Sequence, residues 1–319
     1  PPPQEDDPPP PSSQTSTTPV GKGTTSSTSA NYVSAGETKK QGGVSDREFD
    51  KVTVACGKGQ MKKLKQFLKK HKGQINRVSS NGRTLLYVAC LTGQLKAAKL
   101  LLKQYGVQAN QANLNGRTAL YAASQGGHVE VVRLLLSKSD IDINKADNHG
   151  ATALMTAAMN GQVEVVRLLL SKSDIDINKA DNIGATTALM AAAMEGQVEL
   201  VRLLLSKSDI DINKADINGA TALIIASMNG HVEVVRLLSS KSDIDINKAI
   251  HDGATALHVA SQEGHFKVVR LLLSKSEIDI NKAKNNGCKP THVAAFYGNV
   301  DILRLLLQQP NIDFTTKDD

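Results

Sequence analysis

A ten-residue segment recurs along this chain at a nearly constant spacing, and this repetition limits the possible folds more than any other feature. The sequence SKSDIDINKA occupies residues 137–146 and returns at 171–180, 206–215 and 240–249, with one Asp→Glu change at 274–283. The spacings are 34, 35, 34 and 34 residues. Such a period indicates a repeat architecture, in which each unit contacts only its neighbours and the stack shares one core.

The same register divides most of the chain into units. Seven units fall at 81–114, 115–148, 149–182, 183–217, 218–251, 252–285 and 286–319. An eighth, degenerate unit fits residues 47–80, because Val54-Ala55-Cys56 precedes Val88-Ala89-Cys90 by 34 residues. We therefore predict one repeat domain over residues 47–319, with residues 47–80 as its basic terminal cap.

The sequence of the unit at residues 149–182 serves as the example from which we predict the local structure of every unit. Gly150 follows Asp147-Asn148 in a tight turn where a positive φ is expected. Thr152 can cap a short alanine-rich helix over Ala153–Met159, which Asn160-Gly161 should end. A second helix is predicted over Val163–Ser171, with Val163, Val166, Leu169 and Leu170 as its apolar face. The alternation of Ile175 and Ile177 with aspartates then predicts a short extended segment whose isoleucines pack under the helices.

The pattern of these units resembles the ankyrin repeat. It is clearest in Gly116-Arg117-Thr118-Ala119-Leu120 and Gly127-His128-Val129-Glu130, and it covers residues 47–319. The resemblance implies an all-α solenoid of helix-turn-helix units with short hairpin-like turns. Three departures predict local effects: an extra Thr (Thr186 or Thr187) that should bulge its turn, Lys289 in place of a capping Thr, and Ser239 where other units have Leu. We expect the Ser239 unit to be a weak joint.

The remaining composition bears on the class of protein. Residues 1–46 hold eight of the ten prolines, and 12 of the 18 residues from 12 to 29 are Ser or Thr, so a disordered tail is predicted there. The three cysteines, Cys56, Cys90 and Cys288, match no disulfide framework or zinc spacing. There is no apolar run long enough for a membrane span. We expect a monomeric cytoplasmic protein, with a nuclear location as the alternative.

No catalytic or metal-binding arrangement is evident in the sequence, and neither an enzyme nor a cofactor is expected. His128, His231 and His265 share one column at the start of the second helix, and spacing by whole units prevents them from meeting on one ion. A hydrogen-bonding role in the turn is the expected one. The pair Asp174 and Asp176 recurs in every unit from the second to the fifth. It is interpreted as part of a solvated loop, because a catalytic pair has no reason to be copied in this way.

The family resemblance also implies a binding surface, at the turn tips and the exposed side of each first helix, which line the concave face that holds partners. These are also the columns that vary most between units, while the second helix is nearly constant. Carried over to this sequence, the candidate partner-binding residues are Leu91, Arg117, Gln125, His149, Met159, Asn160, Ile183, Met194, Glu195, Ile217, Met228, Asn229, His251, Asp252, Gln262, Glu263, Phe296 and Tyr297.

One of these columns is unusually apolar. It reads Leu91, Gln125, Met159, Met194, Met228, Gln262 and Phe296, and Ile183 and Ile217 lie at neighbouring tips. A contiguous exposed apolar stripe of this kind usually marks an interface, and methionine adapts well to irregular partners. Two alternatives stay open at this point: the methionines pack inward between helices, or the surface has drifted without selection.

The basic charge of the chain is concentrated near the N-terminal end of the repeats. Residues 47–80 contain ten Lys/Arg and two Asp/Glu, and residues 81–114 contain four Lys/Arg and no acid. A weak contact with an anionic surface is therefore a candidate, through Lys62, Lys63, Lys65, Lys69 and Lys70. Nucleic-acid binding is not expected, because aromatic residues are only 3% of the chain and base stacking needs them.

The resemblance implies one further modification site. The segment from Leu170 to Asn178 is similar to sequences that asparagine hydroxylases of ankyrin domains modify. The corresponding candidates are Asn144, Asn178, Asn213, Asn247 and Asn281.

Three functions remain in view from the sequence. The first is a protein-binding scaffold that uses the concave face. The second is a targeting or regulatory module of a larger enzyme or channel, because the chain lacks a starting Met and Leu303–Leu307 is strongly apolar near its end. The third is binding of an anionic surface by the basic cap.

Overall fold

The computed structural model of this chain describes residues 43–313, so nearly all of the predicted tail lies outside the described residues. Within them there are sixteen α-helices and no strand, which confirms the all-α solenoid. The helices are α1 Asp46–Gly57, α2 Met61–Lys70, α3 Leu85–Leu91, α4 Leu95–Leu102, α5 Ala119–Gln125, α6 Val129–Leu136, α7 Ala153–Met159, α8 Val163–Leu170, α9 Ala188–Met194, α10 Val198–Leu204, α11 Ala222–Met228, α12 Val232–Leu238, α13 Ala256–Gln262, α14 Phe266–Leu273, α15 Pro290–Phe296 and α16 Val300–Leu307.

The bounds of the short first helices follow from residues at their ends. The Thr152 hydroxyl accepts a hydrogen bond from the Met155 amide at 3.3 Å, which satisfies one of the free donors at the start of α7. Gly161 follows the helix with a φ of 70°, a left-handed conformation that glycine adopts at little cost. The predicted helix over Ala153–Met159 is confirmed, and the second helix ends one residue earlier than predicted, with Ser171 as its C-cap.

The turns between units are hairpin-like, as predicted. In the turn that follows the second unit, the Asp147 amide donates to the Ala151 carbonyl at 2.9 Å. The Asn182 amide of the next turn donates to the His149 carbonyl at 2.8 Å, so the tips are joined from unit to unit. Gly150 has the expected positive φ, of 84°.

One large apolar core extends along the units from Val44 to Leu306, beside a small separate cluster of Tyr87, Val88 and Ala122. The first helices stack on one another as one layer, the second helices stack as another, and the main contacts link only adjacent units. Val165, Val166, Leu169 and Leu170 are the buried face of α8, so Val165 takes the place that the sequence analysis gave to Val163. Among the described helices, none is long and apolar enough to cross a membrane.

The loops after the second helices differ from the prediction. Residues 173–174 and 177–178 form turns, so no continuous extended segment covers residues 174–178. Ile177 is nevertheless buried under the helices, while Ile175 is half-buried. The reason is local: the Asp176 carboxylate accepts a hydrogen bond from the Asn178 amide at 3.2 Å, which favours a turn at this point.

The extra residue in the fourth unit is absorbed by its turn, as predicted. The cap is Thr187, and the Asp181 amide donates to the Thr186 carbonyl at 3.0 Å. Ala185 has a φ of 55°, the only positive value at a non-glycine position in the described part of the chain. The insertion has therefore moved the left-handed conformation from the glycine position, Gly184, to an alanine.

The domain begins earlier than the predicted boundary at residue 47. Val44 is fully buried, and the Ser45 side chain caps α1 by accepting from the Glu48 amide at 3.3 Å. Both residues therefore belong to the solenoid and not to the tail. In the same terminal unit, Leu64, Phe67 and Leu68 of α2 are buried, so the apolar face of this basic helix is used in the core.

Candidate functional site

The final residue of each first helix lies in one column, and the middle of that column is exposed. Met159, Met194 and Met228 end α7, α9 and α11, with 51%, 38% and 42% of their surface exposed. Inward packing of these three methionines is therefore excluded. Because packed helices lie about 8–10 Å apart, the three side chains follow one another at close to one helix diameter.

The column changes character toward its ends. Leu91 is half-buried against Tyr87 and Val88, and Gln125 and Gln262 are also half-buried. Phe296 and Tyr297 are exposed at the other end, where their rings meet edge to face with centroids 5.2 Å apart. The exposed apolar part of the column is therefore central and C-terminal.

Side chains of the next unit fix the carbonyl groups of this column. His231 Nε2 lies 2.9 Å from the Met194 carbonyl oxygen, and His265 Nε2 lies 2.9 Å from that of Met228. His128 makes the same contact with the Leu91 carbonyl at 3.1 Å. The expected hydrogen-bonding role of the turn histidines is confirmed, and it holds the methionine backbone in place.

The turn tips form a second exposed row. Ile183 and Ile217 are 65% and 58% exposed, and His149 and His251 are exposed as well. A seven-residue first helix separates each tip from its methionine, which corresponds to about 10 Å at 1.5 Å per residue. The candidate surface is thus two parallel rows, one of tip residues and one of helix ends.

Two charged candidates are already paired within the domain. Arg117 Nε lies 3.2 Å from the buried Asp147 carboxylate, and its guanidinium stacks over the Tyr121 ring. Lys284 Nζ lies 2.7 Å from the Asp252 carboxylate. Partial burial alone would raise the pKa of Asp252, but hydrogen bonds from Lys284 and from a backbone amide outweigh it and hold that pKa below its ordinary value.

The other polar candidates lie beside the methionine row and are exposed. Asn160 and Asn229 each donate from the side-chain amide to a carbonyl of their own helix, at 2.7 and 2.9 Å. Glu195 occupies the same position in the fourth unit, and Glu263 accepts from Gln262 at 2.9 Å. A partner lying on the row would therefore meet amides and carboxylates at its edge.

The five hydroxylation candidates form a ladder that the sequence analysis did not anticipate. Each side-chain amide makes two hydrogen bonds to the backbone of the following unit. Asn213 donates to the Asp243 carbonyl at 2.7 Å and accepts from the Asp245 amide at 2.8 Å. Its own carbonyl accepts from Lys248 Nζ at 2.9 Å. Asn76 and Asn110 extend the ladder toward the N-terminus.

Hydroxylation of these asparagines stays a prediction. The ladder requires that the loop open before an enzyme reaches the side chain, because both amide atoms are engaged. Intact mass after treatment with an asparagine hydroxylase tests it, and the absence of any species carrying an added oxygen atom would remove it.

One buried histidine and the cysteines complete the search for chemical groups. Burial lowers the pKa of His258 to about 4, and its ring nitrogens face the Thr255 amide and the Cys288 carbonyl at 3.2 Å each. Burial raises the pKa of the Cys56 thiol to about 12. In residues 43–313, no group of three or more His, Cys, Asp or Glu side chains is placed to hold a metal ion.

Comparison with known proteins identifies the family. The family model of ankyrin repeats matches residues 48–113, 105–181, 178–250 and 241–318. The chain belongs to the ankyrin-repeat family. Comparison with curated proteins gave no match. Among solved structures, the ankyrin domain is similar to the ankyrin-repeat domain of Bcl-3, described as a unique member of the IkappaB protein family.

That similarity amounts to 31% sequence identity and a TM-score of 0.62, over 70% of this chain and 100% of the Bcl-3 domain. The ankyrin domain is accordingly a protein–protein interaction module. Because 578 solved chains match it, the fold alone does not single out a partner. The choice of partner must come from side chains on its surface.

Proposed function

We propose that this ankyrin domain is a scaffold that binds a protein partner through the concave face made by its turn tips and first helices. The observation that carries the proposal is the exposure of Met159, Met194 and Met228 in consecutive units. Exposed apolar side chains that follow one another on a rigid support are typical of an interface.

The chemistry of the rows favours a partner with an extended apolar surface. Ile183 and Ile217 add apolar area at the tips next to the central methionines. Methionine is flexible and polarizable, so it fits a partner of irregular shape. The histidine contacts with the carbonyl groups of the column keep the backbone fixed, so little ordering of the backbone is needed when the partner binds.

The test is an affinity capture with the full chain and a variant carrying Met159→Glu, Met194→Glu and Met228→Glu. A matched control carries Ser171→Glu, Ser206→Glu and Ser240→Glu, which place the same three charges on exposed positions after the second helices. Circular dichroism establishes that all three proteins are folded. Bound proteins are then identified by mass spectrometry.

We expect a partner that the wild type and the serine control retain and that the methionine variant loses. Charge placed in the apolar row must be desolvated when the partner binds, whereas charge on the serines stays in water. If all three proteins retain the same partners, the methionine row is not the binding surface.

A further inference from the structure

The second helix of each unit faces outward. In the units at 47–80 and 81–114 this helix differs from the later ones at three columns of exposed side chains. These columns hold Lys62, Lys65 and Lys69 in α2, and Lys96 and Lys99 in α4 together with Lys103 at its C-cap. We call these six residues the lysine face. The same columns in α6 hold Glu130, Arg133 and Ser137, so the net charge there is zero.

In α6, α8, α12 and α16 an acidic residue and an arginine of these columns form an ion pair within the helix, which α2 and α4 cannot do because they have no acidic residue there. The later helix α14 also lacks the acid, with Lys267 and Arg270 in these columns. Glu130 and Arg133 lie 3.6 Å apart as an i,i+3 ion pair, and α8 and α12 repeat the pair at 3.6 and 3.3 Å. Two lysines at i,i+3 repel each other instead. In the described part of the chain, no carboxylate lies within ion-pair distance of the lysine face, although Lys70 nearby pairs with Glu48 at 3.7 Å.

The surroundings strengthen this positive potential. The chain has no acidic residue from Lys51 to His128, while it has 14 Lys and Arg residues there. Because α2 and α4 pack side by side, the two rows of three lysines lie about 8–10 Å apart. Charge of one sign over such an area attracts an anionic partner and speeds its encounter.

A groove between α2 and α4 shows what kind of anion fits. Leu68 is buried and Leu100 half-buried in it, while Lys65 and Lys69 line it beside the fully exposed Tyr105. The apolar floor is therefore recessed below the ammonium groups. A flat bilayer needs protruding apolar residues to insert, and single-stranded nucleic acid needs several aromatic platforms, whereas here one tyrosine projects.

We infer that the lysine face and its groove bind an acidic protein segment that carries one bulky apolar side chain. The acidic residues of the segment pair with the two lysine rows, and its apolar side chain lies on Leu68 and Leu100 beside Tyr105. This surface is formed by second helices, so it is separate from the methionine row and independent of the function proposed above.

The probe is a fluorescein-labelled synthetic decapeptide of Asp and Glu with one central Phe, titrated with the full chain and followed by anisotropy. A second peptide has Ala at the centre. Vesicles containing phosphatidylserine and a single-stranded oligothymidine are the competing ligands. The test variant carries Lys62→Glu and Lys96→Glu, which install at both positions the glutamate that later units have, so folding is not threatened.

The matched control carries Lys267→Glu and Arg202→Glu. These two substitutions change the net charge as much as those of the test variant, but they lie on the second helices of later units. Lys267 occupies the same column as Lys62 and Lys96. Tyr105→Ala tests the groove, since its side chain is fully exposed and supports no packing.

We expect the Phe peptide to bind the wild type and the control equally and to bind the test variant about tenfold or more weakly, with affinity falling as salt rises. The Ala peptide should bind several-fold more weakly than the Phe peptide, and Tyr105→Ala should reduce that difference, because one wall of the groove is lost while Leu68 and Leu100 remain. Three results would each overturn the inference. The Phe peptide could bind the test variant as tightly as it binds the wild type, or the two peptides could bind the wild type equally. The vesicles or the oligonucleotide could also bind the wild type more tightly than the Phe peptide does.

Discussion

Replacing Ser239 by leucine should strengthen the stack at the fifth full unit. Ser239 is only 7% exposed, and the equivalent Leu170 in the third unit is 3% exposed, so the position is a core position in both units. The Ser239 hydroxyl makes only one long contact, 3.5 Å to the Arg236 carbonyl. A leucine would fill apolar space that a serine leaves with few contacts.

The magnitude follows from the burial. Burying a leucine side chain contributes about 1.5–3 kcal/mol, and losing a poorly bonded buried hydroxyl adds up to about 1 kcal/mol. We therefore expect Ser239→Leu to raise the free energy of unfolding by about 2–3 kcal/mol. In a repeat array the gain is local, because each unit interacts only with its neighbours.

Amide hydrogen exchange under native conditions is the suitable assay, because it resolves the opening of individual helices. Protection should rise in α12 and α14, which flank this joint, and change little in α4. Ser240→Leu is the matched control, since Ser240 is exposed and a leucine there gains no burial. Equal effects of the two substitutions, or no rise in protection for Ser239→Leu, would refute the packing argument.

Three other perturbations test separate features. Ala185→Gly should relieve the left-handed strain at a φ of 55°. The control is Ala151→Gly, at the same place in the preceding turn. In urea titrations the free energy of unfolding of the Ala185→Gly protein should exceed that of the Ala151→Gly protein by about 1–2 kcal/mol. His258 binds a proton more weakly in the folded chain, where its pKa is about 4 against an ordinary 6.5. The contribution of neutral His258 to the free energy of unfolding is thus complete above about pH 6.5 and is lost as the pH falls toward 4. Met155 occupies the same position as His258 in an earlier unit, so His258→Met is a tolerated replacement. It should remove roughly 3 kcal/mol of the change in unfolding free energy between pH 6.5 and 4. If the unfolding free energies of the wild type and the variant change equally over this range, the argument is wrong. Asn213→Ala should cost about 2 kcal/mol for two hydrogen bonds, while Asn218→Ala at an exposed tip should cost almost nothing, and equal losses would show that the ladder contributes little.

Much of the fold was predictable because each unit carries its own local signals. Thr152 and Asn160-Gly161 mark the ends of α7 in the sequence, and the helix occupies the interval between them. The length of α1 was not predictable from the repeat, because the terminal unit has lost those signals. Ser45 caps the start of that helix, and Val44 joins the core ahead of it.

The candidate site was predictable only in part. Columns that vary between units drew attention to Met159 and Met194, but exposure had to come from the packing. The asparagine ladder was not predictable, since the partners of Asn213 are backbone atoms of the next unit and have no sequence signature. The lysine face was found only in part, since the sequence analysis named Lys62, Lys65 and Lys69 but not the lysines of the next unit. Lys62 and Lys96 become neighbours only when α2 and α4 stack.

The same ladder bears on how an array of this kind changes its length. The side-chain amide of each asparagine bonds only to peptide groups of the following unit, so these bonds do not depend on which side chains that unit carries. A unit of about 34 residues can therefore be duplicated, removed or exchanged by recombination within the near-identical segments, and both new joints re-form the same bonds. The partner surface can then lengthen or shorten by whole units, without compensating mutations at the junctions.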